Sequence, residues 1–588
     1  MNRFVPVALG ALVACGGGKE GPVEPSVPRN DITTMQVGEV RVLAPIDIPN
    51  GIDLQSVSSP RDFILIVGNT SDRGDVVASY EVRGNLSAPG SVRSEQRVAL
   101  APQLSPALGG LAHSEGPQPL LEKRVREFER RALTLRPPSG QLGSSGLSLR
   151  RRVQVAASAV PVPGDVIRVK IPDANGPNDD FCLDYFESQA VVASVSRRAI
   201  LAVDTLDGPP AGLFTQADFD AIAAEFDQMT FPTDSSYFGN PTDIDLNARV
   251  IMLFTGRVNQ LTPPSSPSFV GGFFFAGDFF PVTGLPGQSC AQSNQAEIFY
   301  LLAPDPLGLK YGNVRTAASV RQGTRGVIAH EFVHMINAGR RYTGGVASQF
   351  EVLWLDEALA HLGEDVVGRR VRNFGDLQAL AFSDVFPNES ASNDFYAFFF
   401  QNFARLAHWM DRPDTSSGIS ARAGANLSSR GAAWAVIRYT ADNFSNGEPR
   451  PYTRRLVAGP DTGVTNFLAV NAAPLDTVLA GFLVANFADD LSGLGNISAR
   501  YQYRSYNMRS IMPPVAGSVL SNGGVYPLKI ESIGTGTATL TGTNRTGSGT
   551  YYRLTVAANA GPKNVKVTDA SGAVVSFPGA HIYVLRLQ

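Results

Sequence analysis

The sequence predicts an α+β protein whose central region is β-rich at first and helical later, flanked by two small β-sandwiches. Three observations predict it. Short apolar runs of strand length, punctuated by Gly, Pro, Asn and Ser, fill residues 36–105 and return from about residue 510. Between them, strand-like runs over 161–310 give way to helical patterning over 311–500. Finally, 588 residues exceed one hydrophobic core, at roughly 150 residues per domain. Hydrophobic residues make up 43% and charged residues 18%, enough apolar matter for several cores. Lys plus Arg is 50 and Asp plus Glu 53, a net charge of −3 that lacks the basic footprint of a general nucleic-acid binder.

The chain opens with Met1-Asn2-Arg3, an apolar stretch from Phe4 to Ala14, then Cys15 and three glycines. A positive start, a short apolar core and small residues before a cut site make a secretory signal over 1–14. The apolar run is shorter than the roughly 20 residues that span a bilayer. Leu12-Val13-Ala14-Cys15 resembles the lipobox of bacterial lipoproteins, which implies lipid attachment at Cys15 and a Gly/Pro-rich tether over 15–35. An ordinary signal with a chance Cys is the alternative. Gly16, rather than Asp, favours an outer-membrane or cell-surface address. Of the three cysteines, Cys182 and Cys290 remain. An even remainder in an exported chain suggests one disulfide, against two separate buried thiols.

The elements follow in order. Val40–Leu43 and Phe63–Gly68 read as strands of an N-terminal β-sandwich-like domain over 36–105. Residues 106–160 read as a linker with one charged helix, Leu120 to Leu135, whose Lys and Arg alternate with Glu122, Glu127 and Glu129. Such mixed charge reads as a solvated helix. Residues 161–505 form the central domain. Val166–Val169, Ala199–Val203 and Val250–Phe254 are strands, and Gln216 to Met229 is an amphipathic helix. From 506 to 588 the β-alternation returns, as in Ala538–Thr541 and Asn564–Val567, and predicts a C-terminal β-sandwich-like domain.

One motif carries chemistry. Residues 327–338 read Val-Ile-Ala-His-Glu-Phe-Val-His-Met-Ile-Asn-Ala. His330 and His334 are four apart, about 40° beyond one helical turn, so both imidazoles project from one face. Two nitrogens so placed can reach one Zn²⁺. Glu331 sits beside them as a general base, the H-E-x-x-H arrangement of metalloproteases. Gly339 and Arg340-Arg341 read as the helix stop. A third ligand candidate is Glu357, in Leu353-Trp354-Leu355-Asp356-Glu357-Ala358-Leu359-Ala360-His361. Gly344-Gly345 permits a turn between two antiparallel helices. The set His330, His334 and Glu357 supplies three ligands and leaves one position open for water.

These two segments resemble the gluzincin clan, and most of all its hyicolysin-like neutral metallopeptidases. The resemblance implies a thermolysin-like domain with a β-rich lobe and a helical lobe, one catalytic Zn²⁺ and a peptide or protein substrate. It implies that His330, His334 and Glu357 are ligands and Glu331 the general base. It covers roughly 165–490 and leaves both flanking β regions unassigned. Asp356 stands where the clan usually has Asn, and Arg430 where relatives often carry a Tyr that supports the transition state. Arg430 and Tyr439 are the candidates for that role, with Tyr342 and Tyr396 as rivals. Asp356, His361, Glu364 and Asp365 are candidates to orient the ligands. The strand near Glu297–Leu302 is expected to pair an extended peptide. Asp243-Ile244-Asp245 could bind Ca²⁺, although Asx-type turns explain it as well. The competing function is a catalytically silent surface-binding or adhesin-like lipoprotein on a peptidase scaffold.

Overall fold

A computed structural model describes residues 32–86, 116–135 and 159–588, apart from short stretches at 55–57, 72–75, 206–213, 267, 346, 421–425, 521 and 534–535. Cys15, the signal and most of the tether therefore lie outside the described residues. In chain order come β1 (Val40–Leu43), β2 (Ile52–Leu54), β3 (Arg61–Asn69) and β4 (Val77–Leu86), then helix α1 (Pro117–Ala132). Next are β5 (Val166–Pro172), β6 (Tyr185–Val195) and β7 (Ala199–Asp204), then α2 (Gln216–Glu225) and α3 (Phe231–Phe238). After these come β8 (Val250–Thr255), the short α4 (Gly256–Asn259), β9 (Gly272–Phe274) and β10 (Ile298–Leu302).

The helical part follows: α5 (Ala317–Gly344), α6 (Leu353–Val371), α7 (Phe382–Val385), α8 (Ser392–Phe398), α9 (Phe400–Asp411) and α10 (Leu427–Asn443). It continues through α11 (Pro449–Ala458), α12 (Gly463–Asn471), α13 (Leu475–Ala488) and α14 (Met508–Val519). The chain closes with β11 (Ile530–Ser532), β12 (Gly536–Arg545), β13 (Ser548–Val556), β14 (Lys563–Thr568) and β15 (Ala580–Arg586). Among the described residues no single helix is long and apolar enough to cross a membrane.

The two flanking β regions are not two sandwiches. Their strands interleave in one, with sheets ordered β1-β15-β3-β13-β11 and β12-β4-β14-β2. β3 lies antiparallel between β13 and β15, and β4 between β12 and β14. The physical reason is edge satisfaction. Alone, either half would leave long strands with unpaired backbone groups, and each half supplies the other's ladder. The C-terminal β region also begins later than the sequence suggested, because 508–519 is helix α14.

Alternation along the shared sheet fixes the sandwich to the helices. Phe63, Leu65 and Val67 of β3 face the other sheet, while Ile64 and Ile66 face the central core. β13 and β15 divide likewise, Tyr552 and Val584 inward and Tyr551 and Tyr583 toward the helices. Tyr551 donates to the carbonyl of Leu483 on α13 at 2.8 Å. One apolar cluster runs from this sheet through α13 and α14 to the central strands.

The central sheet is mixed, ordered β5-β6-β7-β8-β10-β9. β7, β8 and β10 run parallel, and β9 caps the sheet antiparallel to β10. β10 is thus paired on both sides, and the expectation that 297–302 offers a peptide-binding edge is corrected: β9 is the outermost strand on that side. Cys182 and Cys290 are joined by a disulfide that ties the loop before β6 to the loop before β10. Helix α5 runs five residues past the predicted stop at Gly339 and ends at Gly344. Gly345 follows in the left-handed conformation, φ 67°, which glycine adopts without steric cost.

A larger correction concerns α1, which is solvated only along Leu120, Arg124, Glu127 and Arg131. Val125 is fully buried, and Glu122, Arg126 and Glu129 are 2%, 4% and 1% exposed. Leu121, Val125 and Phe128 join the central core, and Phe128 packs against Phe181 and Phe275.

The interleaved sandwich generates a test. A chain ended after residue 505 deprives β3 of both neighbours and uncovers Phe63, Leu65 and Val67. It should aggregate or bind a hydrophobic dye, where two independent sandwiches would leave a soluble fragment with an unchanged melting temperature. In the full chain, Leu65→Ala at the fully buried sandwich face should cost about 2–5 kcal/mol in denaturant unfolding.

Candidate metal centre

Helix α5 starts at Thr316, whose hydroxyl accepts from the backbone N–H of Ser319 at 3.1 Å. It passes beneath β9 and β10 and packs on α6. The two helices meet closely at Gly363, where a Cβ would stand 2.5 Å from Val333 Cγ2 and 3.3 Å from the Ala329 carbonyl. That approach, one residue before His330, lets short carboxylate side chains of α6 reach the imidazoles.

Three donor atoms converge there. His330 Nε2 and His334 Nε2 are 3.1 Å apart. Glu357 Oε2 lies 3.5 Å from the first and Glu357 Oε1 3.6 Å from the second. Two donors each about 2.0–2.1 Å from a tetrahedral ion stand about 3.4 Å apart, so the three fit a single zinc-sized ion. Uncompensated, two imidazoles edge to edge beside a carboxylate at 0–5% exposure would be a costly arrangement.

The outer nitrogens are oriented as metal-bound histidines require. His330 Nδ1 lies 2.8 Å from Glu364 Oε1, and His334 Nδ1 lies 2.7 Å from Asp356 Oδ2. Asn337 Nδ2 donates to the other Asp356 oxygen at 2.6 Å. Helix geometry explains which residues meet. Glu357, His361 and Glu364 are spaced four and seven apart, within about 40° of one face.

His361 is in the cluster, its Nδ1 3.0 Å from Glu364 Oε1, with Arg405 Nη1 3.2 Å from its ring nitrogens. Burial pushes its pKa down to about 3, so its ring is neutral. Asp365 is turned about 80° away from the Glu357 face. It instead accepts from Arg369 at 3.0 Å and from the Tyr506 hydroxyl at 2.6 Å. Of the two neighbours, Glu364 is the one that lies against His330.

Arg430 Nη1 donates to Glu357 Oε2 at 2.8 Å. Burial works to raise Glu357, but Arg430 and the two imidazoles hold its carboxyl well below the usual range. Tyr439 is nine residues further along α10, half a turn out of phase. It donates to the Arg500 carbonyl at 2.7 Å, remote from the donors. Glu331 is 1% exposed and its Oε2 accepts from the backbone N–H of Phe274 at 2.9 Å. Burial raises its carboxyl above the ordinary value, against the pull of His330 and His334.

Two contributors escape sequence reasoning. Glu122 of α1 contacts Arg430, and its Oε1 is 3.9 Å from His330 Nε2. Arg126 Nε lies 3.6 Å from Asp356 Oδ2. A signal was available: Glu122, Arg126 and Glu129 repeat the spacing of Leu121, Val125 and Phe128 one position on, so the charged stripe borders the apolar one. Asp243, Asp245 and Glu297 also gather. Their oxygens serve turns: Asp243 accepts from Ala248 N, Asp245 from Asn247 N, and both Glu297 oxygens from Ile244 N.

No family model matches the chain. Over 143 residues, 24% of this chain, it is 28% identical to the neutral metalloprotease ShpI of Staphylococcus hyicus. The aligned part is 29% of that relative, so the chain spans under a third of its length. This partial likeness and the His/Glu cluster point the same way, toward a metallopeptidase family.

The geometry separates the neighbours on α6 and α10. Glu364→Ala should weaken zinc binding roughly 10–100-fold in a competition titration with a chelator. Tyr439→Phe, which loses only a remote hydrogen bond, should bind zinc as the unaltered chain does.

Proposed function

We propose that this protein is a zinc-dependent peptidase, with endopeptidase action on peptide or protein substrates, exported and lipid-anchored through Cys15 at the bacterial cell envelope. The convergence of His330, His334 and Glu357 on one ion-sized point carries the proposal, and the partial likeness to a neutral metalloprotease supports it. His330, His334 and Glu357 would hold one zinc. When bound, zinc supplies Lewis acidity that acidifies water and polarises a carbonyl.

The chain's own residues supply the rest. Glu364 and Asp356 keep the two imidazoles in the tautomer that turns Nε2 inward. Glu331 takes the proton of the attacking water and passes it to the leaving amine. Its raised affinity for protons, caused by burial, suits both halves of that task. Arg430, bonded to Glu357 Oε2, keeps that ligand carboxylate charged. The outer edge of β9, once clear of the α1 side chains that bond to it, pairs the extended substrate backbone, and the Phe274 amide ties that edge to Glu331. Export and lipid attachment rest on the signal-like start and the Leu12–Cys15 segment.

Glu331→Gln should retain one zinc per chain while losing about 10²–10⁴-fold of casein or peptide cleavage. His334→Ala or Glu357→Ala should lower bound zinc, read by elemental analysis. Cleavage at the unaltered rate by Glu331→Gln, or unchanged zinc in both ligand variants, contradicts the proposal.

A further inference from the structure

Among the described residues, α1 is the one helix or strand between β4, which ends at Leu86, and β5, which begins at Val166. Its place in the fold is against the outer edge of β9. The ladder to β10 uses one side of β9, and the other side presents backbone groups of the kind an extended peptide would pair with. Side chains occupy them. Gln118 Nε2 donates to the Gly272 carbonyl at 2.8 Å, and Gln118 Oε1 accepts from Gly271 N at 2.8 Å. Arg126 Nη2 donates to the Phe274 carbonyl at 2.7 Å, and Glu129 Oε1 accepts from Ala276 N at 2.6 Å. The edge amide of Phe274 is held by Glu331.

The middle of the same helix reaches the donors. Glu122 contacts Arg430 and brings a fourth carboxylate beside His330 and Glu331. With α1 in place, His330 is 5% exposed, Glu331 and His334 1%, and Glu357 not at all. A polypeptide cannot reach these atoms in this arrangement. The contacts along β9 are exchangeable, because each backbone group bonds equally well to a peptide main chain. On leaving, the side chains of Gln118, Glu122, Arg126 and Glu129 would be solvated, and Leu121, Val125 and Phe128 would come out of the core, a cost that an incoming polypeptide must offset.

We propose that α1 is an internal occupant of the substrate groove, so that this fold is a latent form whose site opens when α1 is displaced by, or removed ahead of, an extended polypeptide. The inference rests on the peptidase reading for what the vacated groove does. Two full-length, zinc-loaded variants test it: Gln118→Ala/Glu129→Ala, which removes two of the β9 anchors together with the bonds of these side chains to Glu122 and Arg126, and the same pair with Glu122→Gln added. Each is compared with the unaltered chain for binding of a peptide hydroxamate by calorimetry and for casein cleavage.

Both variants should bind the hydroxamate at least tenfold more tightly and cleave faster, and a synthetic peptide of residues 117–132 should reverse the gain. If the triple variant does not fold, the double variant decides. Folded variants that bind no more tightly than the unaltered chain overturn the inference. If all three chains cleave equally fast, α1 is a fixed structural helix while the peptidase reading stands. If binding tightens but none of the three cleaves any peptide, the groove is occupied as inferred and the peptidase reading falls.

Discussion

Charge is concentrated in one sealed place. Glu122, Glu331, Asp356, Glu357 and Glu364 surround His330, His334 and His361, and the cations among them are Arg126, Arg405 and Arg430. Breaking one member of such a set leaves a buried charge uncompensated, at about 3–5 kcal/mol. The rest of the fold serves to hold these groups together. Gly363 lets α5 and α6 touch, β9 and α1 close the roof, and α10 delivers Arg430 from the far side. A divalent ion between three donors about 3.5 Å apart is the simplest charge that balances the excess of carboxylates.

The sandwich is part of the same construction. Its sheet β1-β15-β3-β13-β11 is apolar on both faces, one toward its partner sheet and one toward α13. It is therefore a wall of the central core and not an appended module. The first and last described strands, β1 and β15, pair there. Sandwich and centre share one cooperative apolar cluster, which couples the integrity of the terminal strands to the positions of the helices behind the donors.

Much of the centre was legible in the sequence. Four-residue spacing places His330 and His334 on one face, and the same arithmetic lines up Glu357, His361 and Glu364. The strands at 40–43, 63–68, 166–169 and 250–254 are visible as short β-branched runs. Other features were not legible, each for a physical reason. Period-two alternation identifies a strand's faces but not its partners, so the interleaving of β3 with β13 and β15 was hidden. The unbroken run Phe63-Ile64-Leu65-Ile66-Val67 held the clue, since a strand apolar on both faces is buried on both. Likewise, Glu122, Arg126 and Glu129 have the spacing of a solvated ion-pair helix. Only their place one position on from Leu121, Val125 and Phe128 separates charges that face Arg430 and the β9 backbone from charges that face water. Glu364 and Asp365 differ only by 100° of rotation, which the contact of α5 and α6 resolves.

The account is tested most directly by an anomalous-diffraction structure of the full chain grown with zinc, recorded at the zinc edge. It predicts one ion per chain, bonded to His330 Nε2, His334 Nε2 and a Glu357 oxygen at about 2.0–2.2 Å, with Glu364 and Asp356 still on the outer nitrogens. An ion seated instead between His361 and Glu364, or at Asp243, Asp245 and Glu297 with the His330–His334 pair empty, would contradict it.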